Sequence, residues 1–180
     1  MYIERTICGT GIWIVVRQMG KTYKVAGYVK LAKLWERTGE EAFQYHNEYF
    51  HNKYDGADEM ELVGVYVDIT GQKEIRKRPE MIRLLSDCVN GRINCISTQT
   101  KAYLAANNRE FFYLLHFLFE LKSEIAIVTE DKNYHINTIE NPEKQKEALR
   151  SMVNDYVNLN PADYSDWRMQ IYREINKVHE

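Results

Sequence analysis

Residues 61–115 constrain the fold more than any other part of the chain. They read ELVGVYVDITGQKEIRKRPEMIRLLSDCVNGRINCISTQTKAYLAANNREFFYLL. The β-type run Leu62–Ile69 leads into a polar loop containing Gly71, and Pro79 then opens a helix. Proline suits a first helical turn because its missing N–H would have no partner there. Met81, Ile82, Leu84, Leu85, Cys88 and Val89 recur at three- and four-residue spacing, which gives this helix an apolar face. Asn90-Gly91 closes it through a left-handed residue. Ile93–Ser97 is a second short strand. Arg109–Leu121 is a helix apolar nearly all round, hence either buried on two sides or an interface helix. Strands alternating with helices predict an α/β fold, a mainly parallel sheet flanked by helices.

The flanks extend this pattern. GIWIVVRQ (11–18) and TYKVAGYVKL (22–31) are β-rich runs separated by Met19-Gly20-Lys21, the usual signal of a hairpin. Thr38-Gly39-Glu40-Glu41 fits a capping box, in which a hydroxyl and a carboxylate satisfy the first free N–H groups of a helix. That helix is expected over Gly39–Tyr54, with Phe43, His46, Phe50 and Tyr54 on or near one face and Asp55-Gly56 as its end. Downstream, Glu124–Thr129 reads as a strand and 131–141 as the most loop-like segment. Asn141-Pro142 starts a helix to about Leu159, and Asn160-Pro161 another to about Val178.

Composition narrows the function classes. A chain of 180 residues, 44% of them apolar, makes one domain, or one domain with an appendage, and can fill a core. No run of 18 apolar residues suggests a membrane span, and the N-terminus lacks the order of a signal peptide. Cys8, Cys88 and Cys95 are an odd count without metal-ligand spacing, so buried thiols and a cytoplasmic protein are expected. The net charge of −2 argues against binding nucleic acid by bulk electrostatics. Basic residues nevertheless gather in two places. Residues 1–33 hold Arg5, Arg17, Lys21, Lys24, Lys30 and Lys33 against Glu4 alone, and Lys73, Arg76, Lys77, Arg78 and Arg83 form a second patch. His46, Glu48 and His51 look like a metal cluster, but the two histidines are five apart and do not share a helical face. There is no Walker loop, GxGxxG or CxxC pair.

The order strand–VD–loop–G–KRP–helix–NGRIN–strand–loop–NNRE–helix resembles the N-terminal catalytic domain of the serine recombinases, that is, resolvases, invertases and large serine integrases. The resemblance covers about residues 24–158. It implies a resolvase-like α/β domain over 23–159, an added N-terminal β-hairpin over 1–22 and a C-terminal helix over 160–180. In that family the first core strand ends in Tyr-x-Arg-x-Ser, whose serine attacks a DNA phosphodiester while arginines neutralise the phosphate. The matching residues here are Tyr28-Val29-Lys30-Leu31-Ala32. Lysine keeps the charge but loses the two-pronged guanidinium, and alanine has no oxygen to attack with.

The family's second motif, Asp-Arg-Leu-x-Arg, falls on Ala102-Tyr103-Leu104-Ala105-Ala106, without its aspartate or either arginine. Lys77-Arg78-Pro79 survives, and the resemblance places its arginine near the scissile phosphate. The implied site is therefore degenerate at Lys30, Ala32, Ala102, Tyr103 and Ala106. Lys30, Lys77 and Arg78 remain as candidate phosphate ligands, and no cofactor or metal is expected. The resulting expectation is a catalytically inactive recombinase-like domain that acts by binding protein or DNA, associated with a mobile element or site-specific recombination. A homodimer is expected through the last two helices, from the apolar faces Ala148, Leu149, Met152, Val153, Tyr156, Val157, Leu159 and Trp167, Ile171, Ile175, Val178. DNA or a recombinase is a further candidate partner. The alternative is an enzyme acting on phosphate esters or nucleotides, in which Lys30, Arg78 and a relocated hydroxyl (Thr70, Ser97, Thr98 or Thr100) converge.

Overall fold

The computed structural model describes residues 4–8, 11–15, 22–132, 135–140 and 142–178. Strands β1 (Glu4–Cys8) and β2 (Gly11–Val15) form an antiparallel two-stranded ladder. The hairpin expected between 11–18 and 22–31 is therefore not made, because β2 pairs backwards with β1. Its expected turn, Met19-Gly20-Lys21, lies outside the described residues.

The core begins with β3 (Tyr23–Leu31), followed by a 3-10 turn (Lys33–Thr38), α1 (Gly39–Tyr54) and β4 (Met60–Ile69). After another 3-10 turn (Ile75–Lys77) come α2 (Pro79–Val89), β5 (Cys95–Thr98), the short α3 (Lys101–Leu104) and α4 (Asn108–Glu120). Strand β6 (Ala126–Thr129) precedes a π-helical turn (Pro142–Lys146), α5 (Glu147–Leu159) and α6 (Pro161–Lys177). Strands β3 to β6 build one all-parallel sheet in the order β4-β3-β5-β6. The predicted α/β architecture is present. A bulge in β4 at Val63 shifts its register against β3 between Val25 and Ala26.

One face of the sheet packs on α1. Its core joins Val25, Val29, Val65, Cys95 and Val128 to Ala42, Phe50 and Tyr54. Gly27 is required by a close approach, since an added Cβ would lie 2.6 Å from the Phe50 ring. The inward ridge of α1 is Ala42, His46, Phe50 and Tyr54, four residues apart, whereas Phe43 is turned to solvent. Thr38 makes no capping bond. The chain enters α1 from a 3-10 turn, so Thr38 has φ −120° and ψ 31° instead of the extended geometry that aims a hydroxyl at the helix. Gly56 ends the helix region with φ +71°, and Gly91, φ +70°, does the same after α2.

The other face carries the larger core. Ala26, Tyr28, Ile96 and Ile127 of the sheet join α2, α4, α5 and α6. Helix α4 buries Phe111, Tyr113, Leu114, Leu115, Phe117 and Leu118. It shares this core with the sheet while α5 and α6 pack on it, which makes it a helix buried on two sides. The stripe of α6 also turns inward: Tyr164, Trp167, Ile171 and Ile175 are all buried against the body. Met152, Leu159 and Met169 are the large apolar side chains left exposed on these two helices. The apolar faces expected at a dimer contact are thus largely used within the chain, because α6 folds back over α2 and α4.

Candidate functional site

The sheet order creates a topological switch point. From β3 the chain first moves to one side, into β4, and later crosses to the other side, into β5. The loops that leave β3 and β5 therefore diverge, opening a crevice beyond their carboxyl ends. Lys30, Leu31 and Ala32 stand at the end of β3, and Thr98, Gln99 and Thr100 at the end of β5. Ala32 is exposed there, and its carbonyl accepts the Trp35 N–H at 3.0 Å as the 3-10 turn begins.

Asp68, buried at the end of β4, organises one wall. Its carboxylate accepts the Tyr28 hydroxyl at 3.0 Å and the backbone N–H groups of Glu80 and Met81 at 3.1 and 2.9 Å. An acidic group in this place satisfies free donors in the first turn of α2 and complements the positive end of that helix. Burial, then the Asp68 charge, push the Tyr28 phenol far above its ordinary value, so it stays a donor. Across the switch point, the Thr98 hydroxyl donates to the Tyr28 carbonyl at 2.8 Å.

Lys30 lies beside this group. Its Nζ donates to the Thr70 carbonyl at 3.3 Å. Burial, then the positive charge of Arg78, hold its pKa below the ordinary lysine value, with Asp68 opposing them. Arg78 is fully buried. Its Nη1 donates to the carbonyls of Tyr103 and Leu104, both at 3.0 Å, and its Nη2 to the carbonyl of Lys73. Nε is left without a hydrogen bond of ordinary geometry. The turn ahead of Arg78 is pinned by buried Glu110, whose carboxylate oxygens accept the Ile75 N–H at 3.3 and 3.1 Å.

The structure thus brings Lys30, Arg78 and Tyr103 to one region and leaves the other expected residues apart. Lys77 is exposed in the neighbouring turn, where it and Arg76 share the Glu74 carboxylate. Ala102 and Ala106 are exposed around α3, and the Ala102 N–H donates to the Thr100 hydroxyl at 3.3 Å. Among the described residues, no three His, Cys, Asp or Glu side chains gather to hold a metal ion. His46 faces the core and His51 faces solvent.

No protein-family model matches the chain, and no curated protein does. Solved structures do match. The N-terminal catalytic domain of TP901-1 integrase superposes with a TM-score of 0.53 at 21% identity, covering 75% of this chain and 96% of that one. A resolvase family site-specific recombinase from Streptococcus pneumoniae gives 0.51 at 14% identity, covering 88% and 100%. The fold is that of a serine recombinase catalytic domain. At such identities the likeness is one of architecture. What the recombinase-type crevice does in this chain has to be judged from its own side chains.

Two polar groups of this recombinase-type domain escaped the reading of the sequence. The first is Tyr28–Asp68, for which the only sequence signal was a carboxylate closing a strand ahead of a proline-started helix. The second lies on the α1 face. There the Ser97 hydroxyl accepts Tyr54 Oη at 2.7 Å and Lys53 Nζ at 3.2 Å, while Lys53 also meets Glu130 at 2.5 Å and Tyr49 donates to the same carboxylate. Its members are scattered over α1, β5 and the end of β6, and no spacing along the chain announces them. The described helices include none long and apolar enough to cross a membrane.

Proposed function

We propose that this domain is a recombinase-fold protein that does not cleave DNA and acts by binding protein or DNA, in association with a mobile element or site-specific recombination. The observation that carries the reading is Ala32. It sits exposed at the carboxyl end of β3 in the switch-point crevice, where the serine recombinase resemblance calls for the nucleophilic hydroxyl. The charge that surrounds it supports the same reading. Lys30 is a single-pronged cation, and the Arg78 guanidinium is engaged by three backbone carbonyls instead of facing the crevice. Transition-state charge on a phosphorus would lack the preorganised donors that such chemistry needs. Self-association into a homodimer, with DNA or a recombinase as further partner, belongs to this reading.

Incubation with supercoiled and nicked DNA, followed by denaturing electrophoresis, is the direct test. No covalent protein–DNA adduct is expected, and a reproducible one would overturn the proposal. Binding is separated from chemistry by titrating a DNA fragment at several salt concentrations. If Lys30 and Lys77 each neutralise a phosphate, Lys30→Gln and Lys77→Gln will each lower the salt slope by about one. Sedimentation at micromolar protein reads the dimer, which a 21.4 kDa species would exclude.

A second reading, an enzyme on phosphate esters through relocated residues, draws on the Ser97 hydroxyl held by Lys53 and Tyr54. Ser97 is fully buried and lies on the α1 face of the sheet, away from Lys30 and Arg78. A nucleophile needs its activator and its phosphate clamp within one hydrogen-bonded reach. This separation ranks the enzyme second. Release of phosphate from a generic aryl phosphate, abolished by Ser97→Ala, would reverse the order.

A further inference from the structure

Lys30 differs from an ordinary surface lysine in three ways. First, its ammonium has no carboxylate partner: among the described residues its printed contact is the Thr70 carbonyl, a neutral acceptor at 3.3 Å. The nearest acid by position, Asp68, is committed to the Tyr28 hydroxyl and to the N–H groups of Glu80 and Met81. Second, it neighbours Arg78, which is fully buried and which no accessible pH deprotonates. Third, it is only partly enclosed and stands two residues from exposed Ala32, at the mouth of the switch-point crevice. Partial burial, a like charge nearby and no counter-ion all disfavour the ammonium and favour the free amine. An amine set beside a second cation in this way is a recognised route to a nucleophilic lysine.

We propose that Lys30 is a reactive amine, a site at which this chain forms an imine with an aldehyde or ketone that enters the crevice. In the neutral form the Nζ lone pair attacks the carbonyl carbon. The C–N bond forms as the C=O π pair moves to oxygen, which takes up a proton. Loss of water from that carbinolamine gives the C=N bond, so amine and carbonyl compound become imine and water with no change of oxidation state. The inference does not depend on the binding role proposed above, since a domain inert towards DNA keeps the same amine.

Competitive labelling of the intact chain tests it. Pyridoxal 5′-phosphate and pyridoxal serve as probes, one with a phosphate and one without, and borohydride reduces any imine to a stable secondary amine. Peptide mapping by mass spectrometry then reads each lysine. At neutral pH the free-amine fraction grows about tenfold for each unit by which a pKa falls. The Lys30 peptide should therefore label first with both probes, and its pH–rate midpoint should lie below that of the exposed lysines as a group. The midpoint reports the amine and not its accessibility, so partial burial does not mimic or hide the effect. Lys30→Arg keeps the charge and should remove the early adduct while leaving the other lysines unchanged. Labelling of Lys30 with a midpoint equal to or above that of the exposed lysines overturns the proposal, as does the absence of any Lys30 adduct after reduction. Preference for pyridoxal 5′-phosphate over pyridoxal would add a phosphate contact to the site, and equal labelling would confine recognition to the carbonyl.

Discussion

The Tyr28 hydroxyl and the Asp68 carboxylate lie 3.0 Å apart and join the two central strands of the domain to the start of α2. Asp68 also takes the Glu80 and Met81 N–H groups, so one buried carboxylate closes β3, β4 and a helix end together. Tyr28→Phe removes one of its three donors and should cost about 1 kcal/mol of unfolding free energy. Asp68→Ala strands the phenol and two helical N–H groups and should cost more, on the order of 3 kcal/mol. Urea denaturation of both single variants and the double variant reads the coupling between them, and additive costs would show that the contact is not energetically real.

Arg78 should prove a structural residue as much as any ligand. Arg78→Leu leaves the Lys73, Tyr103 and Leu104 carbonyls without their donor, at a cost on the order of 3 kcal/mol or more. Arg78→Lys should recover only part of this, because one ammonium cannot reproduce a planar fork. A fully stable Arg78→Leu protein would return the guanidinium to the list of groups free for a phosphate.

Ala32→Ser alone should not create strand cleavage. The new hydroxyl would face Lys30 and an Arg78 already held by carbonyls, and each missing donor of transition-state charge is worth roughly 3–4 kcal/mol. Detectable cleavage of supercoiled DNA by this variant would mean that other cations reach the crevice.

Helix α4 gives a packing test. Leu115 is fully buried, and Leu115→Ala should cost about 2–5 kcal/mol. Phe112 is only partly buried, against Tyr156 at a ring distance of 4.6 Å, so Phe112→Ala should cost less than a fully enclosed phenylalanine would. Equal, small losses at both sites would put α4 on the surface.

His46 supplies a pH dependence. Its ring is buried in the α1 ridge with Nδ1 unpartnered, and burial holds its pKa below the ordinary value. Below about pH 6.5 the unfolded chain binds a proton that the folded chain resists, so stability is full above that pH and declines as pH falls. His46→Gln should flatten this part of the stability curve measured by denaturation between pH 5 and 8. An unchanged slope would show that His46 does not contribute it.

Much of the fold was legible locally. Alternation and three- and four-residue spacing disclosed β4, α2 and α4 within a residue or two, and Gly56 and Gly91 marked helix ends as their left-handed φ values require. Periodicity reports which side of an element is apolar, but not which neighbour will cover it. The stripe of α6 was evident, yet its burial on α2 and α4 was decided only when the chain turned back after Asn160. Similarly, β2 was free by sequence to pair with β3, and the ladder with β1 won.

For the site, the sequence by itself determined what is chemically missing: alanine at position 32 carries no nucleophile, and Ala102 and Ala106 carry no charge. The tertiary structure decided what the remaining charges do. Arg78 and Lys30 read alike as cations, and only the meeting of loops some 25 residues apart, around Lys73 and Tyr103–Leu104, fastens one of them inside. Lys30 is left beside it with a carbonyl instead of a carboxylate. Covalent chemistry is a property of each residue and can be read one letter at a time. Solvation and hydrogen-bond partners belong to positions in space, which parallel pairing assembles from distant segments of the chain.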